Sequence, residues 1–251
     1  MPLERLVRAE RGREDRRSGT DEVNGDQLRR ALAEGLGAFF LVFVGTGTVA
    51  ADAVSGGAIG PVGIAFAFGA VIAAMIYAVG HISGAHFNPA VTLALWSAGH
   101  VPTRTVPTYV AAQCLGAIAG SAAVRVAFGP GVPLGVTTVA ASLPAAFVVE
   151  ALLSFALLFV IIAVATDRRV AGGVAGVAVG LVVAFGSLVG GTLTGASMNP
   201  ARSLGPALVA GQWGGHWLYW AAPIAGMLVA ARFYEAVRPA NSPTAPPVAS
   251  A

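Results

Sequence analysis

The sequence predicts an all-α membrane protein in which six transmembrane helices and two half-helices form an inverted repeat. Three observations lead to this fold class: an apolar composition, six apolar segments of membrane-spanning length, and a short motif that occurs once in each half of the chain. Of the 251 residues, 56% are hydrophobic and only 11% are charged. Soluble domains carry about 25% charged residues, so the composition excludes a soluble protein.

Six apolar segments each have close to the ~20 residues that cross a ~30 Å hydrocarbon layer. They cover about residues 31–51, 61–80, 106–128, 145–166, 172–191 and 216–236. Arginines gather at the segment ends that six crossings would place on one side of the membrane. These are Arg29, Arg30, Arg104, Arg168, Arg169, Arg232 and Arg238. Because basic residues are enriched in cytoplasmic loops, we expect a multi-pass protein of the cell (inner) membrane with both termini in the cytoplasm.

The two ends of the chain differ from its apolar middle. Residues 1–30 contain eight arginines and seven acidic residues, and they lack the apolar run of a cleavable signal peptide. Residues 239–251 are rich in proline, alanine and serine. Both compositions are typical of disordered segments. The sequence thus predicts a membrane domain over residues 31–238, with one repeat over about 31–128 and the other over about 145–238.

The short motif is Asn-Pro-Ala, found at Asn88-Pro89-Ala90 and at Asn199-Pro200-Ala201. Asn is a preferred helix N-cap and Pro suits the first helical position, so each motif predicts the start of a helix. The apolar run that follows each motif has about ten residues, or ~15 Å of helix, which is half a membrane. A general preference of Asn-Pro for helix starts would explain one motif, but not two at matched places.

The chain also repeats itself. Glu34 precedes an aromatic apolar segment and Glu150 precedes a similar one 116 residues later, while the two Asn-Pro-Ala motifs are 111 residues apart. Each unit then holds three spans and a half-helix, and an odd number of spans inverts the second unit. Inverted repeats with broken helices place the site between the repeats, near the membrane midplane. The two glutamates fit either a proton relay or a brace for unwound backbone, and their duplication favours the brace.

The two asparagines also suggest a function. Each can cap its own helix through the side-chain oxygen and still donate N–H groups into a lumen. Two such donors would orient a central water molecule so that it cannot relay a proton along a file of waters. The positive ends of the two half-helices would repel cations at the same place. The sequence therefore favours a water-filled path that excludes protons.

Two longer stretches, His81-Ile-Ser-Gly-Ala-His86-Phe-Asn88-Pro-Ala-Val-Thr92 and Gly195-Ala-Ser-Met-Asn199-Pro-Ala-Arg202-Ser203, resemble the signature loops of the aquaporin (major intrinsic protein) family. The second is also similar to the nodulin-type branch. The resemblance implies an aquaporin-like right-handed bundle and a homotetramer with one pore in each protomer. It implies passive flow of water or small neutral solutes, without catalysis or a cofactor. The use of arginine as the sole basic residue besides histidine favours a bacterial source.

The resemblance also assigns the narrow part of the pore. An intramembrane charge usually marks the pathway, and the family pattern places Arg202 at the outer constriction. The complete filter would be Phe68, Ser187, Ala196 and Arg202. His81 and His86 would lie near the cytoplasmic vestibule, where a purely structural role suits them almost as well. Glu34 and Glu150 would brace the two loops.

The filter residues are compatible with more than one solute. Strict water channels of the family usually have His where this chain has Ser187, so the small hydroxyl predicts a wider filter. Other positions match the water-type pattern instead; they are Ser203, Ala207, Tyr219 and Trp220. The two interpretations are a water channel that also passes small uncharged solutes, and a glycerol or neutral metalloid-acid facilitator. An ion-coupled transporter and a structural membrane-junction protein are more distant alternatives.

Cys114 is the only cysteine in the sequence. A single cysteine excludes an intrachain disulfide and a cysteine metal cluster. It is not one of the filter positions, so we expect that mercurials do not block the pore directly.

Overall fold

The computed structural model describes residues 3–166 and 172–238 and contains, within those ranges, eight α-helices. They are α1 (Leu3–Val54), α2 (Gly60–Ser83), α3 (Pro89–Ser97), α4 (Thr105–Phe128), α5 (Leu143–Thr166), α6 (Ala175–Thr194), α7 (Pro200–Ala210) and α8 (Leu218–Val237). A 3₁₀ turn over Gly172–Val174 leads into α6. Four helices in each half of the chain therefore follow the same order of long, long, short and long.

The long helices agree with the six predicted spans. Gly25–Val54 and the whole of α2, α4, α5 and α6 are long and apolar enough to cross a membrane. Helix α8 has 20 residues but a more polar composition, because it contains Arg232 and Glu235. From the second span onwards, the helix ends lie within three residues of the predicted limits.

Helix α1 extends beyond the predicted first span at its N-terminal end. It begins at Leu3, and the disorder that the composition of residues 1–30 predicts stays a prediction. The only proline of that segment is Pro2, and no later proline removes a helical hydrogen bond. The other predicted tail, 239–251, lies outside the described residues, as do Arg168 and Arg169. The domain and repeat boundaries remain predictions.

The two half-helices begin where the motifs predict. Asn88 and Asn199 are the N-caps, each with an extended backbone at φ −153°, and Pro89 and Pro200 are the first helical residues. Helix α3 has 9 residues and α7 has 11, which corresponds to about 14 and 17 Å. Each therefore reaches about half of a ~30 Å hydrocarbon layer.

Small residues let the long helices approach closely, as is usual in membrane bundles. A Cβ built on Gly116 of α4 would lie 2.1 Å from the carbonyl oxygen of Gly35 on α1. At the matching crossing, a Cβ on Gly226 of α8 would lie 2.1 Å from the carbonyl oxygen of Ala151 on α5. Helices α2 and α6 pack against each other between these two pairs.

The half-helices join the repeats by packing across them. Helix α3 of the first repeat packs on α8 of the second, and α7 of the second packs on α4 of the first. The two short helices also contact each other. This exchange brings the two Asn-Pro-Ala motifs together inside the bundle.

Candidate functional site

The loops before the half-helices have an unusual backbone. Four non-glycine residues adopt positive φ: Ala85 at 54°, Phe87 at 50°, Ala196 at 45° and Met198 at 53°. The two pairs are 111 residues apart, the same spacing as the asparagines. Such conformations cost roughly 1–3 kcal/mol each and persist only where the surroundings hold them. Both loops therefore need strong partners.

Glu34 is the partner of the first loop. Its carboxylate accepts hydrogen bonds from the backbone N–H of His86 at 2.9 Å and of Phe87 at 2.7 Å, and from the hydroxyl of Ser83 at 2.7 Å. The Gln113 amide on α4 donates to it at 2.8 Å. Glu34 is fully buried, and its contacts are those of a brace for the unwound backbone.

Glu150 does the same in the second loop. It accepts from the backbone N–H of Ser197 at 2.8 Å and of Met198 at 2.9 Å, and from the hydroxyl of Thr194 at 2.7 Å. It is also fully buried. Inside a membrane, the N–H groups of unwound backbone need hydrogen-bond acceptors. The two buried carboxylates provide these acceptors, one for each loop.

The asparagines connect the two loops. The Asn88 side-chain oxygen accepts from the backbone N–H of Ala90, and its Nδ2 donates to the carbonyl of Met198 at 2.7 Å. The Asn199 oxygen accepts from the N–H of Ala201, and its Nδ2 donates to the carbonyl of Phe87 at 2.9 Å. From the sequence, both N–H groups of each amide are expected to be available to the lumen. One of the two is committed to the opposite loop, which leaves a single donor per asparagine.

Arg202 is held from three directions. Its backbone N–H bonds to the Asn199 side chain at 3.2 Å, and its guanidinium donates to the carbonyl of Gly135 at 2.7 Å. The guanidinium carbon lies 4.9 Å from the ring centroid of Phe68. With 5% of its surface exposed, the cation has a fixed position inside the bundle.

Two cavities meet at the predicted filter. The first, of about 110 Å³, runs past the asparagines towards the start of α6. The second, of about 290 Å³, lies beneath the connection between α4 and α5. Phe68, Ser187 and Arg202 line both of them, and Ala196 lines the first. The four predicted filter residues are therefore brought together at the junction between the cavities.

The two histidines are separated. His86 is buried, lines the first cavity, and has its Nδ1 3.0 Å from the hydroxyl of Thr92. His81 is exposed and lines neither of the two cavities. The two side chains therefore lie in different environments, and the position of both near the cytoplasmic vestibule stays a prediction.

Two tyrosines have contacts at the site that the motifs do not predict. The hydroxyls of Tyr109 and Tyr219 donate to the carbonyls of Ser83 and Thr194, at 2.7 and 2.8 Å. From the sequence, Tyr219 is only a match to the water-type pattern, and its distance of 110 residues from Tyr109 is the repeat signal that would have paired the two. Gln113 also donates a hydrogen bond to Thr92 at 3.0 Å. The matching position of the second repeat is a proline, so the repeat gives no signal for Gln113.

The segment between the repeats also contributes hydrogen bonds to the site. Thr137 donates its hydroxyl to that of Ser203 at 2.8 Å, and Gly135 supplies the carbonyl that accepts from Arg202. A backbone carbonyl is present at every residue, so no sequence pattern could have identified this one.

Comparisons with known proteins identify the family. The family model described as "Major intrinsic protein" matches residues 22–234. Aquaporin NIP1-2 of Oryza sativa subsp. japonica is 47% identical over 220 residues, which cover 84% of this chain and 72% of the relative. Nodulin-26 of Glycine max is 43% identical over 217 residues, which cover 86% and 80%. The X-ray structure of the aquaglyceroporin from Plasmodium falciparum matches with a TM-score of 0.78 and 28% identity, covering 84% of this chain and 96% of that one.

These relatives confirm the predicted fold class and the predicted resemblance to the aquaporin family. The curated relatives named above are plant proteins, and they give no support to the bacterial source that the composition favours. They are channels of a multi-pass membrane family. The chain belongs to the major intrinsic protein family of aquaporin channels.

Proposed function

We propose that the chain is a passive channel for water that also admits small uncharged solutes and excludes protons and ions. The observation that carries the proposal is the pair of cavities that meet at Phe68, Ser187 and Arg202. Both asparagines line the first of these cavities. Flow along such a path needs no covalent step, so the proposal includes no catalysis.

Proton exclusion rests on the two asparagines. Each keeps one amide N–H for the lumen after bonding the opposite loop. A water molecule that accepts from both cannot pass a proton along the file. The two half-helix N-termini add partial positive charges of about 0.5 each at the same point, and the fixed cation of Arg202 adds a second barrier in the filter.

Passage of solutes larger than water rests on the small side chains at the filter. Ser187 and Ala196 leave space opposite Phe68 and Arg202, and the guanidinium can donate to a hydroxyl. A glycerol or neutral metalloid-acid facilitator is the alternative within the family, and the structural likeness to an aquaglyceroporin favours it. An ion-coupled transporter is less well supported, because the carboxylates of Glu34 and Glu150 are used as braces.

Permeability measurements test the proposal. The purified full-length chain is reconstituted in proteoliposomes, and stopped-flow light scattering follows volume change under sorbitol, glycerol and boric acid gradients. We expect fast water flow together with measurable entry of glycerol. Fast water flow without any solute entry would remove the wide filter, and slow water flow with fast solute entry would favour the facilitator. Empty liposomes are the control.

The proposal also covers the oligomeric state and the orientation in the membrane. We infer a homotetramer with one pore per protomer, placed in the cell (inner) membrane with both termini in the cytoplasm. The first inference rests on family membership, and the second on the arginines at the span ends.

A further inference from the structure

The ring of Phe68 rests against the bare backbone of Gly45 on α1. A Cβ built on Gly45 would lie 2.1 Å from Cε1 of that ring, 2.4 Å from Cδ1 and 2.6 Å from Cζ. Non-bonded carbon atoms settle at about 3.5–4.0 Å. Even a methyl group at position 45 therefore requires the ring to retreat by roughly 1.5 Å to restore that separation.

The direction of that retreat follows from the packing. Phe68 is 6% exposed, and the guanidinium of Arg202 lies over its ring. The empty space beside the ring is the pair of cavities, both of which it lines. Because close-packed protein resists displacement, a ring moved away from α1 enters the space where the cavities meet.

We propose that Gly45 is a specificity-determining residue of the pore, because the missing side chain keeps Phe68 back in the wall. Gly45 is buried and lines neither of the two cavities, so it acts only through Phe68. The residue sets the size of the uncharged solutes that pass, with water admitted more readily than three-carbon polyols. The inference rests on the proposed function, since it requires Phe68 to border the solute path.

Gly47 provides a matched control on the same helix. It is also buried in α1, and a Cβ built there meets only Cγ2 of Val124, at the ordinary contact distance of 3.6 Å. Replacing either glycine by alanine changes the flexibility of the unfolded chain in the same way. The difference between Gly45→Ala and Gly47→Ala therefore isolates the contact with Phe68.

Stopped-flow measurements on proteoliposomes test the inference. We expect Gly45→Ala to lower the ratio of glycerol to water permeability by roughly five-fold, since a filter selects by its diameter. Gly47→Ala should leave the ratio unchanged. If the parent chain passes water alone, Gly45→Ala should lower water flow itself. Phe68→Leu should raise the ratio, and adding Gly45→Ala to it should have no further effect, because the shorter side chain clears the new methyl group.

The outcomes separate this inference from the proposed function. If Phe68→Leu leaves the ratio unchanged, Phe68 does not border the path, and the role of Gly45 falls with it, while the permeabilities of the parent chain decide the proposed function by themselves. If Phe68→Leu raises the ratio while Gly45→Ala behaves like Gly47→Ala, the role of Gly45 alone is overturned. If Gly45→Ala fails to insert in membranes, recovery of its yield by Phe68→Leu supports the contact, and absence of recovery overturns it.

Discussion

The two buried glutamates show how single side chains stabilise a strained loop. Each carboxylate accepts two consecutive backbone N–H groups from its loop and a hydroxyl from the last residue of the helix before that loop. These donors lie in segments with positive φ at Phe87 and Met198. The energy of the hydrogen bonds to a charged acceptor, about 1.5–3 kcal/mol each, is of the size needed to offset that strain.

Replacement of Glu150 by Gln tests this role. The substitution keeps the shape but puts an amide NH2 where an oxygen accepts an N–H, so one buried donor loses its partner. We expect a loss of about 1–3 kcal/mol in stability, seen as a lower melting temperature of the detergent-solubilised protein by tryptophan fluorescence. Water permeability should fall as the loop loosens.

The control is Glu235→Gln on α8, whose carboxylate is 40% exposed. It should melt close to the parent temperature. Equal melting temperatures for Glu150→Gln and the parent would contradict the brace, and a selective loss of ion-driven uptake would revive a proton relay.

The helices divide into those that cross the membrane and those that stop halfway. The crossing pairs α1 with α4 and α5 with α8 approach through Gly116 and Gly226. The half-helices then occupy the space that these close pairs define, each against the last helix of the other repeat. Close approach at the glycines is thus a condition for the correct position of the motifs.

Alanine at Gly116 tests the close approach. Its methyl group would lie 2.1 Å from the Gly35 carbonyl oxygen, and backbone cannot yield as a flexible side chain can. Overpacking of this kind costs roughly 1–3 kcal/mol or more, so we expect a lower melting temperature and a lower yield of inserted protein.

Gly191→Ala is the matched substitution inside α6. A Cβ there meets no atom within 4 Å, and alanine favours the helix by about 1 kcal/mol over glycine. We expect unchanged or improved melting. Similar melting of both variants would mean that the α1–α4 crossing adapts without cost.

The whole molecule is a bundle whose pore is asymmetric although its repeats are related. The larger cavity and the filter lie on the side of the α4–α5 connection, and the smaller cavity runs towards the start of α6. In the proposed orientation, which places both termini in the cytoplasm, the filter faces outwards. Cys114 packs beside Val42, Ala117 and Ala201, away from both cavities.

A cysteine probe tests that orientation. We expect Ser187→Cys, made in a Cys114→Ser chain, to become sensitive to a membrane-impermeant mercurial, because residue 187 lines both cavities. The reagent should block water flow in spheroplasts when added outside. The parent chain should stay unaffected. Block only from the interior of the cell would reverse the orientation, and no block from either side would remove Ser187 from the path.

Local signals predicted the fold well. Asn and Pro start a helix wherever they occur, and apolar length alone marks a span, so the half-helices and spans were predicted within a few residues. Residues whose partners lie far away in the sequence were harder to predict. The carbonyl of Gly135 meets Arg202, and the amide of Gln113 meets Glu34 and Thr92, only through tertiary packing. No local sequence pattern marks either group. For the charged start of α1, composition predicts disorder and the backbone is helical from Leu3, so the disorder stays a prediction.

The reciprocal bonds between the loops also set an order of events during synthesis. Asn88 donates to the carbonyl of Met198, 110 residues further along the chain. Ribosomes add about 5–20 residues per second, so that carbonyl emerges roughly 5 to 20 seconds after the asparagine. During this interval the first loop has only its own repeat, chiefly Glu34 and Gln113, to hold it. The extra amide of Gln113, absent from the second repeat, thus supports the loop that must wait.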